Sequence, residues 1–146
     1  MRASCADAPA RIAFDKAFSR PEEFGIEKGF LERVGEFLFG QRDARLVRPM
    51  AVVAVRGVVY VADPGAKGVH RFDPVAQRYD LIGAEGDAPL PSPIGLAVGR
   101  DGDVYVTDSV RPAVLVIRPG ATAAVPLRLP PLGQPTGVAF DRVTGR

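Results

Sequence analysis

The side chains that could do chemistry in this sequence are few. One histidine, His70, lies in the run GVHRFD. A lone imidazole cannot form a histidine metal cluster, and no serine or cysteine stands near it as a nucleophile to activate. It reads as a surface or packing residue of a strand. Asp63 and Asp108 close two similar runs, VVYVAD and DVYVTD. A carboxylate at a strand end accepts hydrogen bonds from backbone N–H groups of the following loop and so fixes its turn. Recurrence of the same residue in both runs favours that structural role over catalysis. Asp101 and Asp103 flank Gly102 in a turn. Two carboxylates so close suggest Ca²⁺, but a hard cation takes roughly six to eight oxygens, and no others stand nearby. Neither phosphate-binding glycine pattern occurs. No catalytic, cofactor-binding or metal-binding residue is expected, and no cofactor.

Cys5 is the sole cysteine, which excludes a disulfide within the chain. Its setting, ASCADAP, resembles the end of a bacterial lipoprotein signal, with a small residue before the cysteine and a polar, proline-containing tether after it. Arg2 departs from the apolar residue that such a signal carries three positions earlier. Met1 is too close to Cys5 for the charged and apolar parts of a signal peptide, so this reading requires an earlier start codon. On it, Cys5 is a lipidation site and the protein sits in the periplasm or cell envelope; the alternative is a free thiol in a cytoplasmic protein.

The net charge is +2, and acidic and basic residues are interspersed throughout. Without a basic stripe there is no electrostatic footprint for a phosphate backbone, so nucleic acid is not an expected partner. No run approaches the length of a membrane-spanning helix, which leaves a lipid anchor as the membrane contact. About half of the chain is apolar, and its 16 glycines and 14 prolines fall between short apolar runs. That pattern favours many short strands over a helical bundle.

The elements that would carry these residues repeat. Pro49, Pro93 and Pro135 are 44 and 42 residues apart, and each precedes an apolar run: MAVVAV, IGLAVG and TGVAFD. A turn follows, at Arg56-Gly57 and at Arg100-Asp101-Gly102, and then the runs ending in Asp63 and Asp108. A third run begins at Val69 and at Val114, and a fourth spans Tyr79 to Ile82 and Ala124 to Leu129. Each is short, bounded by Gly, Pro or Asp, and rich in β-branched and aromatic residues, which is strand chemistry. Helices so short and so interrupted would not be stable. Four antiparallel strands recurring at this period are the signature of β-propeller blades, which stack because one sheet cannot cover both of its faces. A β-sandwich with similar hairpins is the plainer alternative, but it has no reason to reuse a phrase at fixed spacing. The fold class is therefore all-β, an incomplete propeller, with residues 49–92 as blade one, 93–134 as blade two and 135–146 as the start of blade three.

The wording PIGLAVGRDGDVYVTDS, with AVLVI downstream, resembles the NHL repeat over Pro49 to Arg146. The resemblance makes Tyr60, Asp63, Gly95, Tyr105, Asp108 and Gly137 structural blade positions. The first copy departs from the pattern: Ala51 or Val52 stands where glycine is usual, and its turn is shortened to Arg56-Gly57. The resemblance implies a propeller of six blades (sometimes five), and a fold that serves binders and enzymes alike.

Residues 1–10 read as a flexible tether, and residues 11–48 as a closing strand followed by a helix. Arg11 to Phe14 would be that strand. Ser19 and Glu22 have the spacing of a capping box, with Ser19 as N-cap, ahead of a helical turn ending near Gly25. In Glu27 to Phe39, the residues Phe30, Leu31, Val34, Phe37 and Leu38 share one helical face, and Gly40 terminates it. The mixed polar face with Glu32, Arg33 and Glu36 argues for packing on the propeller and against a membrane surface.

The expected function is a propeller binding or scaffold module that presents rim loops to a protein, peptide or glycan, within a longer envelope protein. The alternative is part of a metal-dependent propeller enzyme of the lyase, lactonase or esterase kind, whose ligands would come from later blades; this chain alone is not expected to catalyse a reaction. Self-assembly of several copies into a ring is the competing account of the break in the third copy. It leaves a strand cut at its turn unexplained.

Overall fold

The computed structural model describes residues 17–26, 45–84, 86 and 88–145. Eight strands carry the architecture: β1 (Ala51–Val55), β2 (Val58–Asp63), β3 (Gly68–Asp73), β4 (Arg78–Ile82), β5 (Pro93–Val98), β6 (Val104–Asp108), β7 (Ala113–Ile117) and β8 (Val125–Pro126). They form two four-stranded antiparallel meanders, β1-β2-β3-β4 and β5-β6-β7-β8. Each sheet is one copy of the repeat. The β1–β2 connection is tightest, with Arg56 at φ 52° and Gly57 at φ 81°. Two successive left-handed residues are what a two-residue hairpin needs to match the strand twist.

Pleating assigns the faces. Cross-strand pairs put Tyr60, Ala62, Val69 and Ile82 on the face of the first sheet that meets the second. Val104, Val106, Leu115 and Ile117 are the answering face of the second sheet. All of these residues but Ala62, with Leu90 from the connecting loop, make one buried core. On the far side of the first sheet, Val59, Val61, Phe72 and Tyr79 make a second core with Phe24, Ile26 and Leu46. The cover over that second core, Phe24, Ile26 and Leu46, comes from outside the repeat. The segment 17–26 and the strap 45–48 are joined by the Leu46 N–H donating to the Ser19 carbonyl at 3.0 Å.

Several expectations shift. The helical turn is a 3-10 turn, Pro21–Phe24, with Arg20 as N-cap and Gly25 at φ 80° ending it. The expected box on Ser19 and Glu22 is displaced by one residue: the Glu23 carboxylate accepts the N–H groups of Ser19 and Arg20. Pro21 explains the shift, because its fixed φ and missing N–H suit the first helical position and so make Arg20 the cap. The closing strand at Arg11 to Phe14 and the helix at Glu27 to Phe39 lie outside the described residues. Strand β8 is only Val125–Pro126, shorter than the expected Ala124 to Leu129. Pro126 cannot donate to a ladder, although the Leu127 N–H still reaches the Val114 carbonyl at 2.9 Å.

The third run, TGVAFD, pairs with no strand among the described residues. It nevertheless lies on the outer face of the second sheet. A Cβ at Gly95 would sit 3.0 Å from the Thr136 carbonyl oxygen and 3.3 Å from the Gly137 Cα, so the absence of a side chain at Gly95 permits the approach. Beyond it, the Phe140 ring stacks on Tyr105 with centroids 5.9 Å apart.

Candidate functional site

The two strand-end aspartates are fully buried. Asp63 Oδ2 accepts the Val47 N–H at 2.6 Å, while Oδ1 accepts those of Arg48 at 2.9 Å and Ala66 at 3.0 Å. Asp108 Oδ2 accepts the Ser92 N–H at 2.8 Å, and Oδ1 accepts those of Val110 at 3.0 Å and Arg111 at 2.7 Å. Each carboxylate thus ties the chain entering its sheet to the loop leaving the second strand. Burial pushes the Asp63 carboxyl up, but its three N–H donors and the nearby His70 outweigh that and hold it below the usual carboxylate range. Gly65 makes the arrangement feasible at Val47, since a Cβ there would fall 2.7 Å from Val47 Cγ1.

A third aspartate of this kind carries a signal that the repeat alignment passes over. Asp63-Pro64-Gly65-Ala66-Lys67 and Asp73-Pro74-Val75-Ala76-Gln77 share the pattern Asp-Pro-x-Ala. In both, the aspartate accepts the alanine N–H, at 3.0 Å and 2.9 Å. In both, the next residue is left-handed, Lys67 at φ 56° and Gln77 at φ 50°. One short phrase therefore builds the turns at both ends of β3. Gln77 also binds the N-terminal segment, its Nε2 donating to the Gly25 carbonyl at 3.0 Å.

His70 is wholly buried, a packing residue and not a surface one. Its ring stacks with Phe72 at 5.9 Å, and Nδ1 lies 2.8 Å from the Tyr79 hydroxyl. Among the described residues Nε2 has no hydrogen-bond partner, and the nearest charge is Asp63 Oδ2 at 3.5 Å, too long for a good hydrogen bond. Burial lowers the imidazole pKa to about 4 against the pull of Asp63 in the other direction. Burial also raises the Tyr79 hydroxyl, with Asp63 and Asp80 adding to it. The ring is therefore neutral at pH 7, and Tyr79 is a donor. The consistent tautomer has Tyr79 O–H donating to Nδ1 and the Nε2 proton facing the carboxylate.

On the opposite face of the same strand, Arg71 is buried between the sheets. Its Nε donates to Asp80 Oδ2 at 2.9 Å and its Nη1 to the Ala121 carbonyl of the second sheet's last connection at 2.7 Å. Arg78 also reaches Asp80, with Nε 3.0 Å from Oδ2. Tyr60 lies beside this pair; burial raises its hydroxyl pKa and Arg71 opposes the rise. Arg71 thus joins the first sheet to the second.

The open chemistry is at the rim. Arg100, Asp101, Asp103, Tyr105, Phe140 and Gly145 line a recess of about 230 Å³ beside the β5–β6 turn. Arg100 Nη2 donates to the Arg142 carbonyl at 3.1 Å, joining the second and third copies' turns. Among the described residues, no group of three or more His, Cys, Asp or Glu could hold a metal. Gly95 and Gly137 meet at the third copy's contact, Tyr60 and Tyr105 occupy equivalent places on their sheets, and Cys5 lies outside the described residues. No family model matches the chain, and no curated protein matches it.

Proposed function

We propose that this chain is two consecutive blades and the start of a third from an NHL-type β-propeller, working as a binding or scaffold module. One observation carries the reading. The second sheet offers its outer face to the third copy, with Gly137 against Gly95 and Phe140 stacked on Tyr105, as the first sheet offers its face to the second. A sheet that repeats its contact in one direction builds a ring or solenoid, and not a two-sheet sandwich. The partner class is a protein, peptide or glycan, met by the rim turns that carry Arg100, Asp101 and Asp103. The module belongs to a longer protein of the cell envelope, held there through Cys5 by lipid.

Immobilised peptide and glycan libraries test the binding role. The expected result is saturable retention of one class by the chain, weakened at least tenfold by Arg100→Ser with Asp101→Ser. Metal-dependent turnover of an ester or lactone, unaffected by that double change, would replace this reading with the enzymatic one.

A further inference from the structure

Nothing in the propeller reading uses His70, yet its surroundings are built. The imidazole sits between a carboxylate and a phenol that come from two other strands. Asp63 is on β2, Tyr79 on β4, and both are on the face that carries the segment 17–26 and the strap 45–48. Leu81 on β4 stands directly across from His70, Phe72 stacks on its ring, and among the described residues Val61, Phe24, Ile26 and Leu46 add apolar cover on this face. Arg71 and Asp80 pair on the other face, and Arg45 and Arg48 of the strap are exposed. Among the described residues Asp63 is thus the charged group facing the ring, and it is also the carboxylate that holds the Val47 and Arg48 N–H groups.

The geometry points to an acid-operated latch, in which protonation of His70 draws the Asp63 carboxylate off the strap and loosens residues 45–48 and 17–26 from the first sheet. A proton can enter only at Nδ1, which now accepts from Tyr79. The Tyr79 hydroxyl must then turn from donor to acceptor, and its own hydrogen loses its partner in a dry site. The new imidazolium faces Asp63 Oδ2 across 3.5 Å, and the same oxygen holds the Val47 N–H at 2.6 Å, so a move of Oδ2 toward the ring is made at the expense of that bond. Attraction between buried charges favours the move, and the cost falls on the strap. The imidazole's depressed basicity places the event below pH 6.5, the value of a free imidazole. The second sheet lacks the device: Leu115 stands where His70 does, while Asp108 holds its own entering strand through Ser92 in the same way.

Amide hydrogen exchange on the full chain tests the latch, with rates normalised for the intrinsic effect of pH. Between pH 7 and pH 4.5, protection at Val47 and Arg48 should fall by roughly tenfold to a hundredfold, the range a depressed imidazole pKa allows. Protection at Ser92 and at Val106 in the core should hold. His70→Leu, which copies the second sheet, should abolish the fall. Should that variant not fold, nitrogen-detected titration of His70 in the unmutated chain serves instead. An ordinary imidazole titration overturns the proposal, as does protection at Val47 that stays level with Ser92 or falls only in step with Val106.

Discussion

The two sheets have the same strand order, matching β2–β3 and β6–β7 registers and a buried aspartate at the same corner, but the centres of their third strands differ. In β3 the central pair is His70 and Arg71; in β7 it is Leu115 and Val116. Across from Arg71 stands Asp80, and across from Val116 stands Val125. The corners, then, define the repeat, because they hold the backbone where it enters and leaves. The centres are free to be ionic or apolar according to what covers them. In the first sheet one face is covered by segments foreign to the repeat, and the other meets a loop carbonyl at Ala121.

The comparison can be broken most forcefully through pH. His70 binds its proton more weakly folded, at about 4, than the ordinary 6.5. The unfolded chain therefore takes up more protons between these values, and stability falls as pH drops through that window. His70's contribution is complete above pH 6.5 and lost by pH 4, amounting to about 3 kcal/mol. Equilibrium unfolding at stepped pH should show this slope, and His70→Leu should flatten it to what the carboxylates alone produce.

The next effect is at Arg71. Arg71→Val alone leaves the partly buried Asp80 carboxylate with Arg78 as its ion-pair partner, and should cost about 2 kcal/mol. Arg71→Val with Asp80→Val rebuilds the centre of the second sheet and should recover most of that loss. Denaturant unfolding of the two single variants and the double variant gives the coupling directly. If the double variant is as unstable as Arg71→Val, the ion pair is not an interchangeable filling.

More local are the corner substitutions. Asp63→Asn and Asp108→Asn each weaken three charge-assisted hydrogen bonds and should each cost about 2 kcal/mol. Only Asp63→Asn should also speed exchange at Val47 and Arg48. Equal acceleration of those amides in both variants would show that the corners are not independent.

Much of this frame was legible in the residues. Runs of β-branched and aromatic residues bounded by Gly, Pro or Asp marked the eight strands to within a few residues, because pleated strands select such types and turns select Asp, Gly and Pro. The partners of His70 were not legible: Asp63 is seven residues before it and Tyr79 nine after, and only the cross-strand register puts all three on one face. The cover over the first sheet was hidden for a similar reason. Phe24 stacks on Phe72 with centroids 4.9 Å apart, and no local pattern ties residues so distant in sequence. The Asp-Pro-x-Ala turns, by contrast, were open to reading at both ends of β3.

Nuclear Overhauser contacts across the outer face of the second sheet test the central claim, that each sheet receives the next copy of the repeat. On a uniformly labelled chain, the account predicts contacts between the Tyr105 and Phe140 rings and between the Gly95 and Gly137 α-protons, alongside the cross-strand contacts of β5 and β6. If the β5–β6 contacts are present and both of the others are missing, the third copy does not seat on the second sheet and the repeat does not continue.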